Sequence, residues 1–369
     1  MLLSGIFPPI TTPFYPDGQA YHKKLESNVE RYSRTPAAGI VVLGSTGEAI
    51  LLSDQERRDV LKTALAAAAP HKVMIAGTGI ESAHETLALT EYAAELGYDA
   101  AMVRTPHYYK KQMLPANILA FYRTVADRSP LPIVIYNFPA ATGYDIPAEV
   151  VIELADHPNV IAIKESSGNL DKVKRMVDGT RQVKRSATVT ETFEAVTPRM
   201  LKAAAAEGAK ESRELVSVEA LVGSAERQAP SPVPSSTAKA SSSGVTVIGK
   251  LKTRQKEVGF QVMVGAAHQL EPSLGMGAVG AILAFACPAP MACYEIFAAL
   301  KDGDTALARE KQDRVKLPAQ RIVSELGVPG VKYAMELNGY YGGPSRLPFL
   351  PLNADLKSEI EKLMAGIKS

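Results

Sequence analysis

The run IAIKESSG at 161–168 carries an apolar, strand-like stretch straight into a lysine, Lys164. A cation at the edge of a core is either a solvated residue just past the strand end or an amine held in a pocket for chemistry. Other apolar runs end in groups that suit the second reading. PIVIYNFP (132–139) delivers Tyr136 and Asn137, and GIVVLG (39–44) leads into Ser45, Thr46, Gly47 and Glu48. GIFPPIT (5–11) leads to Thr11 and Thr12, KVMIAGT (72–78) ends at Thr78, and AAMVRTP (100–106) opens onto Thr105 to Tyr109. FQVMVGA (260–266) brings Gly265 and then His268, and AVGAILAFA (278–286) brings the apolar Ile282 region.

This inventory is a lysine and a tyrosine among hydroxyls and glycines, with neither a carboxylate pair nor a ligand cluster. It fits carbonyl chemistry through a Schiff base better than glycoside hydrolysis or metal-assisted hydrolysis. A lysine amine attacks a carbonyl only when neutral, and desolvation in an apolar pocket lowers its pKa toward that state. A neighbouring phenol can move protons as the carbinolamine forms and dehydrates. The GSTGE segment offers backbone N–H groups and hydroxyls to a substrate carboxylate.

Positioning these groups requires a scaffold that brings many strand ends to one face. The eight apolar runs alternate with segments of helical period near 21–34, from Ser53 onward, from Ser82 onward, and near 115–128, 147–156 and 169–181, the signature of repeated βα units. Two of those segments open with capping-box patterns, Ser53 to Glu56 and Ser82 to Glu85. The expected fold is α/β, a (β/α)8 TIM barrel, because continuous apolar strands need helices outside and packed side chains inside. A doubly wound open sheet is the weaker alternative, since no G-x-G-x-x-G follows the first strand. In a barrel, residues at the C-terminal strand ends are the catalytic ones.

The expected organisation is a first barrel part over 1–183, an insert over 184–258, the rest of the barrel over 259–295 and C-terminal helices over 296–369. The insert falls between the sixth helix and the seventh strand, which predicts that it emerges on the face opposite the active site. Its first half, RMLKAAAAEGAKESRELVSVEALVGSAER, is helix-prone. APSPVPSSTAKASSSG reads as a flexible or disordered linker, VTVIGKL (245–251) as a possible strand, and KTRQKE (252–257) as a solvated face. Deleting 184–258 is expected to leave activity intact.

Lysine plus arginine (41) nearly balances aspartate plus glutamate (39), so the charge carries no signature of nucleic-acid or membrane binding. A small-molecule ligand is the better expectation. The N-terminal MLLSGIFPPITTPF has no basic region followed by an unbroken apolar core, and no stretch reaches transmembrane length without Gly, Pro or charge. Cys287 and Cys293 make no disulfide framework and stand at no metal-ligand spacing, so a reducing cytoplasm is expected. Taken singly, His107 and His268 read as structural or exposed, and Glu48 as structural.

The combination of motifs resembles the dihydrodipicolinate synthase and N-acetylneuraminate lyase family of pyruvate-dependent class I aldolases. The matching segments are GIFPPITTPF, GSTGE at 44–48, TPHYYK at 105–110, YNFPAATG at 136–143, IKESSGN at 163–169 and the later GVPGVKYAMELNGYYGGPSRLP. The resemblance implies that Lys164 forms an imine with pyruvate or a related 2-oxo acid, that Tyr136 transfers protons, and that Ser45 stands at the usual relay threonine. Thr46 and Gly47 would hold the substrate carboxylate, with Ser166, Gly265 and Ile282 also lining the substrate site. Tyr108 or Tyr109 corresponds to a tyrosine lent across a subunit interface, which implies a homo-oligomer, a dimer or a homotetramer built as a dimer of dimers. No metal or organic cofactor is required, because the imine nitrogen is the electron sink.

Synthases acting on aspartate semialdehyde resemble YN-x-P-x-R-T-G, whose arginine grips the second substrate's carboxylate. Here that position is Ala141, with Arg104, Lys110 and Lys111 as possible substitutes. The tail GYYGGPSRLP, the paired tyrosines and IKESSGN resemble 4-hydroxy-2-oxoglutarate aldolases more closely, so the expected activity is that lyase reaction. The alternatives are a dihydrodipicolinate synthase with a remodelled grip and a non-catalytic regulatory barrel that binds a 2-oxo acid.

Overall fold

Each of the eight apolar runs forms a strand in one parallel sheet. The computed structural model describes residues 1–208, 245–248 and 250–367. The strands are β1 (Gly5–Phe7), β2 (Gly39–Val42), β3 (Val73–Gly77), β4 (Ala100–Arg104), β5 (Ile133–Asn137) and β6 (Val160–Glu165), then β10 (Gln261–Val264) and β11 (Gly280–Ile282). Their spatial order is β1-β11-β10-β6-β5-β4-β3-β2. The ends of that order meet where Val41 N–H donates to Pro8 O and Ile10 N–H to Val41 O, both at 3.0 Å, closing the barrel. Helices follow each of the first six strands, from His22–Ser33 to Leu170–Gly179. Ser53 and Glu56 make the expected reciprocal cap, whereas Ser82 accepts from Glu85 N–H without a return bond.

Strand side chains alternate between two layers. Val41, Ile75, Met102, Val134 and Ala162 belong to the cluster inside the barrel, while Ile40, Val42, Val103, Ile135 and Ile163 belong to the cluster beneath the helices. The same parity turns Arg104, Tyr136 and Lys164 inward at the C-terminal strand ends, and turns Asn137 and Glu165 outward. β4, β5 and β6 are in register there, Arg104 opposite Tyr136 and Tyr136 opposite Lys164.

The segment expected as an insert carries an antiparallel sheet of β7 (Arg185–Thr190), β8 (Val245–Ile248) and β9 (Leu251–Val258), ordered β7-β9-β8. β7 was not foreseen, because only Ala187 and Val189 alternate as buried apolar residues within it. They pack with Leu2 and Val258 at the N-terminal end of the barrel, far from the catalytic strand ends. The solvated run 252–257 lies inside β9, exposing Lys252, Gln255 and Glu257 while burying Thr253. Of the helix-prone half, a helix runs over 198–208; the remainder and APSPVPSSTAKASSSG lie outside the described residues.

The C-terminal helices Pro290–Lys301, Thr305–Ala319, Gly327–Leu337 and Ala354–Met364 do more than pack beside the barrel. Pro318 withdraws a backbone donor inside its helix, and a π-helical turn follows at Gln320–Glu325. That turn and the helix after it face the open end of the barrel. No described helix is long and apolar enough to cross a membrane.

Candidate active site

Above the C-terminal strand ends is a cavity of about 560 Å³, within the ordinary range for small-molecule sites. Barrel residues form its floor, and Ala319, Val323, Ser324, Val328 and Val331 contribute its roof. Sequence reasoning missed this roof, because the motif GVPGVKYAMELNGYYGGPSRLP, which contains Val328 and Val331, was not assigned to the site.

Lys164 is 5% exposed at the floor. Its Nζ lies 4.2 Å from the centroid of the Tyr136 ring. Burial lowers its pKa to about 7, against a smaller opposing influence of Cys287. The amine is therefore substantially neutral at physiological pH, the state that attacks carbonyls. Tyr136 Oη lies 3.1 Å from Ser45 Oγ. Burial pushes the phenol up to about 12, partly offset by the Ser45 hydrogen bond and the Arg104 charge.

Ser45, Thr46 and Gly47 form a single 3-10 turn between Leu43 and Glu48, both of positive φ. Within it Gly47 N–H donates to Gly44 O, whereas the N–H groups of Ser45 and Thr46 donate to no acceptor among the described residues. Thr12 Oγ1 holds the turn from behind by donating to Gly47 O at 2.7 Å. Glu48 fastens its end, accepting from Arg346 N–H at 2.8 Å and pairing with the buried Lys332 ammonium at 2.5 Å. That confirms a structural role for the Glu48 carboxylate, although the residue also borders the cavity.

Ser45, Thr46, Tyr136, Lys164, Ser166 and Gly265 all line the cavity. A Cβ on Gly265 would come within 1.9 Å of Ser166 Oγ, so the glycine makes room for that hydroxyl. Ser166 Oγ is buried without a hydrogen-bond partner among the described residues. Gly47 lies behind the lining rather than in it. Ile282 is fully buried in the barrel interior and is not among the residues lining the cavity. Tyr108 and Tyr109 stand outside, 76% and 61% exposed, with their rings edge to face.

His107 and His268, expected to be structural or exposed, both line the cavity. Burial lowers both pKa values, with Arg104 adding to the effect at His107 and Lys316 at His268. Beneath Lys164, sequence reasoning also missed a buried network. Asn137 Nδ2 donates to both Glu165 oxygens at 3.0 and 2.9 Å, and Lys172 pairs with Glu165 at 3.0 Å and also with Asp145. The outward parity of Asn137 and Glu165 was the available signal. Among the described residues, no group of three or more His, Cys, Asp or Glu side chains could hold a metal ion.

The sequence profile of the dihydrodipicolinate synthetase family matches residues 2–215 and 237–367. The chain belongs to that family. Its members are carbon–carbon lyases, pyruvate-dependent aldolases of class I. The 4-hydroxy-tetrahydrodipicolinate synthase of Methanothrix thermoacetophila is 27% identical over 363 residues, covering 98% of this chain and 96% of the relative. The enzyme of that name from Xanthomonas campestris pv. campestris is 40% identical over 177 residues, 48% of this chain and 58% of the relative. Among solved structures, the dihydrodipicolinate synthase of Bacillus anthracis superposes with a TM-score of 0.75 at 20% identity, covering 100% of this chain and 99% of that one. The family protein YagE of E. coli K12, described in complex with pyruvate, gives 0.72 at 24% identity, with coverage of 100% and 99%. At those identities the superpositions establish the barrel fold.

Proposed function

We propose that the chain condenses pyruvate with an aldehyde, and that Lys164 carries the reaction. The supporting observation is a buried amine of lowered pKa beside the Tyr136 phenol, in the same cavity as the Ser45–Thr46 turn. The amine adds to the keto carbon of pyruvate, and Tyr136, relayed by Ser45, transfers the protons that release water and give the iminium. Loss of a methyl proton makes the enamine, whose carbon attacks the aldehyde. Hydrolysis then frees the product and restores the lysine. The Ser45 and Thr46 N–H groups hold the pyruvate carboxylate, and Ser166 Oγ is a further donor toward the substrate.

The curated relatives named above are 4-hydroxy-tetrahydrodipicolinate synthases, which favours aspartate semialdehyde as the aldehyde over the 4-hydroxy-2-oxoglutarate reaction expected from the motifs. The second reading keeps one observation in its favour, since Ala141 lines the cavity where the synthase pattern has arginine. We also infer a homo-oligomer, because two adjacent tyrosine rings stand exposed at the cavity's margin side of the barrel, and a cytoplasmic setting, because both cysteines are free and buried.

Borohydride reduction with pyruvate, followed by mass analysis, should leave a single adduct on Lys164; its absence would overturn the proposal. Condensation with aspartate semialdehyde and pyruvate release from 4-hydroxy-2-oxoglutarate, measured side by side, then choose between the two readings.

A further inference from the structure

We propose that Arg104 binds the distal carboxylate of an acidic aldehyde, and so selects co-substrates that carry a second negative charge. The inference rests on the pyruvate-aldolase reading and names the class of its second substrate.

Arg104 ends β4 with inward parity and lines the cavity. It stands in register with Tyr136, which stands in register with Lys164. Two strand spacings separate Arg104 from Lys164, about 10 Å between backbones. Both side chains line the one cavity, so an adduct carried on Lys164 shares its space with Arg104.

The guanidinium is held but not saturated. Its Nη1 pairs with Glu81 at 3.0 Å and lies 2.6 Å from His107 Nδ1. Glu81 is itself fixed by the N–H groups of His107 and Tyr108. Nε and Nη2 have no protein acceptor among the described residues, and this edge of the guanidinium is the fork that takes a carboxylate in two parallel bonds. A Cβ at Gly79 would come within 2.9 Å of Arg104 Cγ, so the chain leaves that space for the arginine stem.

The other charged and titratable groups that line the cavity are already committed, and Lys110, which lies against Gly143, is not among the lining residues. Glu48 is answered by Lys332, Lys164 is consumed by the imine, and burial disfavours the charged forms of His107 and His268. Phe138, Ala140 and Ala141 give the adjoining wall no charge. A second carboxylate entering here therefore has Arg104 as its cationic partner.

Arg104 also lies close enough to Tyr136 to favour its phenolate, so the test must separate binding from tuning of the phenol. Exchange of pyruvate methyl protons with deuterated water reports imine and enamine formation without any aldehyde. Arg104→Met should raise KM for aspartate semialdehyde or 4-hydroxy-2-oxoglutarate about 100-fold, the range for loss of a charge-assisted bond. Methyl exchange should fall by far less than turnover of the acidic aldehyde, and Arg104→Lys should restore part of the KM. Unchanged KM, or a loss of exchange equal to the loss of turnover, overturns the role. Failure of the wild-type chain to trap pyruvate on Lys164 would instead overturn the proposed function itself.

Discussion

Lys164 and Tyr136 occupy paired positions on neighbouring strands, and the amine rests 4.2 Å from the centroid of the phenol ring. Both groups are shielded from solvent, so each is driven toward its neutral form by the same cause. The pair is thereby set with a nucleophile ready to attack and a phenol that still holds its proton.

The first consequence is a pH profile. Below a pKa of about 7 the lysine is ammonium and inert toward pyruvate. The rate of borohydride trapping should rise roughly tenfold per pH unit in the acid range and level off above neutrality. A profile still rising at the ordinary lysine pKa would mean that the amine is solvated.

A second consequence concerns stability. The unfolded lysine titrates at 10.5 and the folded one at about 7, so between these values the unfolded chain binds the extra proton. Stability therefore rises with pH across that window, and the burial penalty is fully present below it. Lys164→Met should remove a penalty on the order of several kcal/mol at or below neutrality and make the inactive protein harder to unfold. Denaturant midpoints of wild type and variant should converge as pH approaches the unfolded value.

The carboxylate-binding turn yields a third prediction. Glu48 and Lys332 are both fully buried, and Glu48 closes the turn with φ of 55°. Lys332→Met strands a buried carboxylate and should cost about 3–5 kcal/mol, whereas adding Glu48→Gln should recover much of it. Urea unfolding of the single and double variants measures the difference; equal losses would show that the pair is not coupled.

How much of this was legible follows from where each signal resides. The barrel could be read because its strands are continuous apolar runs and its helices carry their own caps. Lys164, Tyr136 and Ser45 could be read because motif and strand end coincide. Arg104 ends a strand as visibly as Tyr136 does, yet only the register shows that it faces the same cavity. Ile282 was read as lining the site, and it lies buried in the barrel interior at the end of a strand of only three residues. The roof of the cavity comes from helices far along the chain, and their approach is a tertiary event that no local pattern encodes.

Gly265 supplies the fourth prediction. Its missing side chain leaves the space occupied by Ser166 Oγ, 1.9 Å from where a Cβ would stand. Gly265→Ala must therefore displace the hydroxyl or the strand end. KM for pyruvate should rise about tenfold, and Ser166→Ala should give a similar rise without the stability loss. A Gly265→Ala enzyme with unchanged KM would remove Ser166 from the substrate site.

The segment after the sixth helix gives the last prediction, which revises the expectation that 184–258 is dispensable. Arg185 on β7 donates to Val160 O at 2.8 Å, to Ala155 O at 2.6 Å and to His157 O at 2.7 Å. Ala155 ends the helix Ala148–Ala155, so the guanidinium satisfies a carbonyl that the helix itself leaves without a partner. Thr197 donates to Pro70 O, and Arg199 pairs with the buried Asp99 carboxylate at 3.3 Å. Deleting 184–258 would expose all of these acceptors together, and the barrel should lose stability even though its catalytic face is untouched. Arg185→Met alone should lower the urea midpoint by about 1–3 kcal/mol in free energy while leaving kcat and KM of the folded enzyme unchanged. Removal of 209–244 alone, with the three strands kept, should preserve both stability and turnover; loss of turnover in that variant would tie the segment to the active site after all.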